Sequence, residues 1–357
     1  MGIDKRFTDL FGVDLPIIQA PMAGSSDAEL AIAVSEAGGL GSLPCAMLSP
    51  DQVRASFRTI RSRTARPVNL NFFCHRLPPI DTDRERGWRE RLAPYYAEIG
   101  VDRSATLDVP KRSPFDEAMC DAVVELKPRV VSFHFGLPSK ELLARVRSTG
   151  ARVISSATTV EEARWLEREG CDAVIAQGVE AGGHRGMFLT TDVASQVGTM
   201  ALVPQVVDAV KIPVIAAGGI ADARGIVAAL ALGASAVQMG TAYLRTPESR
   251  ASALHRSALQ SVRDDQTVIT NVFTGRPARG IINRLIRDFG PMSTFAPDFP
   301  RAADALAPIR AKAEKTASND FSPLWCGQAA ALCKEIPAGP LTKKLMDDVL
   351  RRIQELG

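Results

Sequence analysis

The chain has 357 residues, 46% of them hydrophobic and 23% charged, the balance of a soluble globular protein with one large domain and an appendage, or with two domains. Its net charge of +3 is small for this length, and the densest basic patch, Arg58, Arg61, Arg63 and Arg66, has no aromatic residues between its cations; this reads as a solvated helix face and argues against nucleic acid as a partner. Six scattered cysteines form no CxxC pair and no zinc pattern, and the start, Met1 to Phe7, lacks the apolar stretch of a secretion signal, so the expectation is a cytoplasmic protein with reduced thiols.

In chain order, Leu15–Gln19 is a short apolar run ended by Ala20-Pro21-Met22-Ala23-Gly24. Ser26–Ala37 has helical spacing through Leu30, Ile32, Ala33 and Val34. Gly38–Leu43 predicts a second strand and Pro50–Ser62 a second helix. Pro67–Phe73 alternates as a third strand. His75–Pro114 is a long interruption rich in Pro, Arg, Asp and aromatics. Phe115–Lys127 predicts a helix leading to a strand at Arg129–Phe133, which ends at His134. A helix at Pro138–Ser148, a strand at Ala151–Ser155 and a helix at Val160–Glu169 follow.

The next three strands, Asp172–Gln177, Ile212–Ala217 and Ser235–Met239, each open into small residues. The first leads to Gly178-Val-Glu-Ala-Gly182-Gly183-His184-Arg-Gly186, the second to Gly218-Gly219 and a helix at Asp222–Leu232, the third to Gly240-Thr241. Glycines directly after strands let main-chain N–H groups turn toward an anion. Successive loops of this kind near a helix start suit a phosphate monoester. Eight strands alternating with helices, at intervals of roughly 20 to 40 residues, point to a parallel (β/α)8 barrel. A doubly wound sheet is disfavoured, because its phosphate loop would follow the first strand.

Gly225–Leu244 carries no charge and is about as long as a bilayer span, but it parses as a buried helix followed by a buried strand. After Thr241 the barrel rhythm stops. A helix at Ser249–Ser261, a strand at Gln266–Phe273, a tight basic loop at Gly275–Gly280 and helices at Ile281–Asp288, Arg301–Lys315 and Lys343–Leu356 predict a mostly helical cap. The division expected is a barrel over 1–244 with an insert at about 75–114, a substrate-binding cap over 245–320, and a C-terminal helical segment over 321–357 packing on the barrel.

The stretches Pro16–Gly24, Pro67–Phe73, Val131–Pro138, Ala176–Gly186, Ala217–Ile220, Gln238–Thr241 and Ser322–Ala330, in this order and covering most of the chain, resemble the nitronate monooxygenase family, formerly called 2-nitropropane dioxygenases. The resemblance implies an FMN-dependent enzyme that oxidises alkyl nitronates with O2 to a carbonyl compound plus nitrite, a role in nitroalkane detoxification. It would need no metal and no nicotinamide, and would act as a monomer or homodimer with no membrane partner. Relatives on the same barrel, NAD(P)H-dependent quinone reductases and the flavin-dependent enoyl-ACP reductase, are the alternative. A flavin-free phosphosugar isomerase or aldolase would use the same barrel without colour.

The same resemblance implies site residues. Gly218, Gly219, Gly240 and Thr241 would hold the FMN phosphate, with Gln238 and Met239 beside them. Pro21, Met22 and Gly24 would back the isoalloxazine ring, Asn71 would hydrogen-bond it, and Gln177, Gly182 and Gly183 would contact it. His184, set among glycines at a strand's C-terminal mouth, is the leading catalytic residue: it would take the Cα proton of a nitroalkane, or hold a nitronate as imidazolium. His134 would be a second polar contact. His75 reads as structural, and His255 has no role. The cap departs from members that take carboxylated nitronates: between Gly290 and Ala311 it has no Tyr or Lys, only Arg301, Arg310, Phe295 and Phe299. That implies a more apolar pocket, with Tyr95 and Tyr96 of the insert as possible substitutes.

Overall fold

Short apolar runs with both faces covered cannot alternate polar and apolar, and nearly every strand residue here is buried. The computed structural model describes residues 3–107, 110 and 112–356. Its main sheet is built from β1 (Ile17–Gln19), β2 (Gly41–Pro44), β3 (Val68–Phe73), β4 (Val130–His134), β5 (Arg152–Ala157), β6 (Ala173–Gln177), β8 (Val214–Ala217) and β9 (Ala236–Met239). The strands are parallel, in the order β1-β9-β8-β6-β5-β4-β3-β2. A parallel bridge between Ile18 and Leu40 closes the ring, with the Leu40 amide donating to Ile17 and the Gln19 amide to Leu40. This is the expected (β/α)8 barrel.

The strand period of two sorts side chains into two layers. Ile18, Val130, Ile154, Ile175, Ile215 and Ala236 fill the barrel interior, and Phe7 and Phe11 from a helix at Arg6–Phe11 plug its lower end. Their neighbours Val131, Val153, Val174, Val214 and Val237 face outward against the ring of helices. Most of those helices start at a side-chain cap, as at Asp27, Ser139, Thr159 and Asp222. Higher in the barrel the filling turns polar: Asn69 Nδ2 donates to Ser42 Oγ and Ser132 Oγ, and Gln19 Oε1 accepts from the Ser42 amide.

Four differences from the sequence reading have physical causes. The interruption after β3 contains an 18-residue helix, Thr82–Ile99, masked by its charges and by Gly87 and Pro94; residues 108, 109 and 111 of the insert lie outside the described residues. That helix packs on the helix Ala302–Lys315, where Trp88, Leu92, Tyr95 and Tyr96 join Val272, Leu285, Leu306, Ile309 and Phe321 in a second core. The basic loop at 275–280 is partly strand: β10 (Thr267–Thr270), β11 (Ala278–Ile281) and β7 (Gly183–His184) form a small antiparallel sheet. A further helix, Thr199–Ala209, lies between β7 and β8, and the C-terminal helix starts earlier, spanning Ala338–Leu356 beside the helices Ala28–Glu36 and Ala223–Ala231. No described helix is long and apolar enough to cross a membrane; the uncharged stretch is divided among the helix Ala223–Ala231, β9 and a short helix, Thr241–Leu244.

Candidate active site

At the C-terminal mouth of the barrel the strand ends surround a cavity of about 180 Å³, the place where such barrels carry their sites. It is lined by Pro21 and Met22 after β1, Asn71 and Phe73 of β3, Gln177 at the end of β6, Gly218 and Gly219 after β8, and Gln238, Gly240 and Thr241 at β9. Gly182, Gly183, His184 and His134 line it as well. Two expected cofactor residues do not. Met239 is turned by the strand period into the outer core, and Gly24 supports the turn after β1 with a φ of 81°.

The Gly178–Gly186 loop is tied down on every side. Gln177 Oε1 accepts from the Gly186 amide at 2.7 Å and its Nε2 donates to the His184 carbonyl at 3.1 Å. Arg185, fully buried, donates to the carbonyls of Gly178 and Gln177 and to Gln196 Oε1. Glu180 accepts from the Thr199 amide and hydroxyl, and its carbonyl accepts from the Gln328 amide. Any Cβ on Gly182 would lie 2.6 Å from the Cys326 and Gly327 backbone, so only glycine fits where the C-terminal segment crosses the loop.

Facing this loop, Gly218 and Gly219 have φ of 114° and 68°, and their amides, like that of Gly240, meet no protein acceptor among the described residues. Main-chain donors left open on a cavity wall are satisfied by water or are available to a ligand. The Asn71 amide nitrogen is spent on Ser132, at 2.9 Å from its Oγ, leaving the side-chain oxygen on the cavity side as an acceptor. These donors, that acceptor and the apolar Pro21–Met22 wall fit a flat, phosphate-bearing cofactor. Groups of three or more His, Cys, Asp or Glu able to hold a metal do not occur among the described residues.

His184 sits in an aromatic nest, its ring centroid 5.2 Å from Phe299 and 5.5 Å from Trp325. Its Nε2 lies 2.9 Å from Thr274 Oγ1. Burial, then the positive charge of Arg112, holds its pKa well below the ordinary value, so the imidazole is neutral at pH 7 and imidazolium is disfavoured. His134 has both nitrogens engaged: Nδ1 with Ser156 Oγ at 3.0 Å, Nε2 with the His184 carbonyl at 3.2 Å. Burial drives its pKa down to about 3. It is a satisfied histidine that holds the His184 backbone.

Other expectations shift. Tyr95 donates to Asp288 and Tyr96 to the Ala305 carbonyl, both inside the second core, so neither reaches the cavity. Arg301 pairs with Glu85 and Arg310 with Glu314, also away from it. Phe299 packs on His184 while Phe295 is half exposed under Arg91. Among the cavity residues given no role from the sequence are Arg112, inside the unreadable insert; Ser132 and Ser156, inward-facing positions of β4 and β5; and Trp325, whose carbonyl accepts from His255 Nε2. His255 also lines the cavity. Ser132 and Ser156 were legible in principle from strand alternation, whereas Arg112 was not.

The chain matches the family model described as nitronate monooxygenase over residues 4–348. It is 44% identical over 346 residues to a nitronate monooxygenase of Pseudomonas aeruginosa, covering 96% of this chain and 99% of that protein. A nitronate monooxygenase of Paraburkholderia phytofirmans is 41% identical, with 99% and 97% covered. Among solved structures it is similar to a nitroalkane oxidase from Streptomyces ansochromogenes, with a TM-score of 0.89 at 39% identity, covering 99% of this chain and 100% of that one. FabK from Thermotoga maritima is more distant, with a TM-score of 0.76 at 30% identity and 100% and 98% covered.

Proposed function

Since this chain belongs to the nitronate monooxygenase family, a family of flavin-dependent oxidoreductases, we propose that it oxidises alkyl nitronates with FMN as its flavin and O2 as oxidant, giving a carbonyl compound and nitrite. The observation that carries this is the pairing, in one cavity, of open amides at Gly218, Gly219 and Gly240 with a neutral imidazole at His184.

Gly218, Gly219, Gly240 and Thr241 would hold the phosphate, Asn71 Oδ1 would accept from the ring system, and Pro21 and Met22 would back it. When bound, the flavin accepts electrons from the substrate and passes them to O2. The protein's own part is position and proton control. A neutral His184 can take the Cα proton of a nitroalkane, since an unprotonated base is ready at pH 7 without first losing a proton. Phe73, Phe135 and Phe299 around it keep the reacting carbon dry. The region around residues 245–320 together with the insert would act as the cap over this cavity.

The NAD(P)H-dependent reductase reading has no observation in its favour, and the FabK neighbour is the more distant one. Anaerobic mixing with ethylnitronate should bleach the yellow chromophore of the purified protein, and air should restore it. Bleaching by NADH or NADPH but not by the nitronate would replace this function with the reductase.

A further inference from the structure

One wall of the cavity carries a charge that the chemistry above leaves idle. Arg112, two residues before the bridge of Pro114 to Phe73, lines the cavity. Three arginines of the cap are paired: Arg284 with Glu98, Arg301 with Glu85, Arg310 with Glu314. Arg112 has no described carboxylate to offset it; burial lowers its guanidinium to about 10, and the charge of Arg310 adds to the effect.

The groups around it are bases as well. His184 and His75 lie within its electrostatic reach, Arg276 bears on the same two histidines, and His134 adjoins His184. Glu162, the carboxylate that acts on Arg276, is already used by the Thr158 amide and hydroxyl and by the amides of Phe188 and Leu189. A partly buried cation with no counter-charge among the described residues, set on a cavity wall, is a ready partner for an anion.

Which anion follows from the place in the ring. Arg112 is anchored beside β3, and in the closed strand order β3 stands opposite β8, across the mouth from the glycine cradle. The charge therefore faces the substrate side and not the phosphate. A guanidinium fork matches a planar anion with two oxygens, and a nitronate is such an anion, isosteric with a carboxylate.

We propose that Arg112 binds the nitronate oxygens of the substrate and selects the anionic nitronate over the neutral nitroalkane. The assignment rests on the nitronate reading above and adds one cation to a pocket expected to be more apolar. It also identifies small carboxylates as competitive inhibitors, since they present the same two oxygens without a reactive nitrogen.

The test uses the flavin-bearing protein and propionate, the carboxylate counterpart of ethylnitronate. Binding is read by Trp325 fluorescence and by competition against ethylnitronate. R112L and the size-preserving R112Q should raise the propionate dissociation constant and the ethylnitronate KM at least tenfold, with flavin absorbance retained. R112K should keep part of the affinity. Neutral nitroethane should bind equally to all four proteins, and the acid limb of kcat/KM should move to higher pH in R112L as His184 loses its repelling neighbour. Unchanged propionate binding in a flavin-replete R112Q, or an equal loss for nitroethane, overturns the proposal. If ethylnitronate fails to bleach the wild-type protein, the function falls, while the propionate titration still decides the role of Arg112.

Discussion

Thr274 Oγ1 lies 2.9 Å from His184 Nε2 and 3.4 Å from the carbonyl of Arg276. If the hydroxyl proton goes to that carbonyl, Thr274 is an acceptor for His184, and the ring proton belongs on Nε2. Nδ1 then carries the lone pair. The threonine thus sets which nitrogen can act as base, a positioning role exerted through His184. Replacing it with valine removes the acceptor at similar volume, and a lost hydrogen bond of this kind is worth about 1 kcal/mol or slightly more. T274V should therefore lower kcat/KM for a neutral nitroalkane by about tenfold, with flavin content unchanged. T274S should restore it, and oxidation of a preformed nitronate, which needs no base, should suffer much less. Equal losses on both substrates would remove the base role from His184.

All four histidines have pKa values held below the ordinary value, chiefly by burial, with His75 at about 4 and His134 at about 3. The unfolded chain protonates them near pH 6.5 and the folded chain at lower pH, so between those limits the unfolded state binds more protons. The stabilisation is complete above about pH 6.5 and is lost as pH falls toward the folded values, at about 1.4 kcal/mol per histidine per pH unit. Urea midpoints should be flat from pH 7 to 8 and drop steeply from 6 to 4.5, before most carboxylates titrate. In H134N the slope should be shallower; an unchanged slope would mean that this ring is protonated in the fold.

The cradle predicts a dissociation between folding and cofactor. An alanine at Gly218 must adopt a φ of 114°, and its Cβ would lie 2.8 Å from Thr199 Oγ1, at the edge of the open amides. Strain in that region costs about 1–3 kcal/mol. G218A should purify folded by circular dichroism but depleted of flavin, with the chromophore regained only at high added FMN. A G218A protein with full flavin would show that these amides do not form the phosphate site.

Legibility followed the local character of each signal. The barrel could be read because eight buried apolar runs recur with helices between them, and the cradle because glycines stand directly after strands. Gln177 was found as a cavity residue, but its partners, the His184 carbonyl and Gly186 amide, lie in a loop that folds back, and no spacing reveals that. Gly182 read as a flavin contact, yet its backbone is crowded by Cys326, over 140 residues away in sequence. The helix Thr82–Ile99 was hidden because its apolar face is completed by residues from 272 to 321, and its charges dominate any local window. Arg112 carries no sequence pattern; its place on the cavity wall, with no carboxylate partner among the described residues, is what marks it.

That hidden helix leads to the last expectation. Trp88 is buried, donates its Nε1 proton to the Ala302 carbonyl at 3.2 Å and packs its ring 5.0 Å from Phe289. Tyr96 donates to the Ala305 carbonyl at 2.6 Å on the same helix face. These bonds join the insert to the segment that carries Phe299 against His184, while the glycine cradle proposed for the flavin follows β8 and β9. Truncating Trp88 to alanine should cost about 3–5 kcal/mol, the usual range for a buried aromatic. The damage should be one-sided: W88A should lose thermal stability and show a raised KM for nitronate, because the aromatic wall over His184 loosens, yet keep its affinity for FMN. If flavin and substrate affinity fall together, the insert and cap are not a separate substrate lid but part of the body that holds the cofactor.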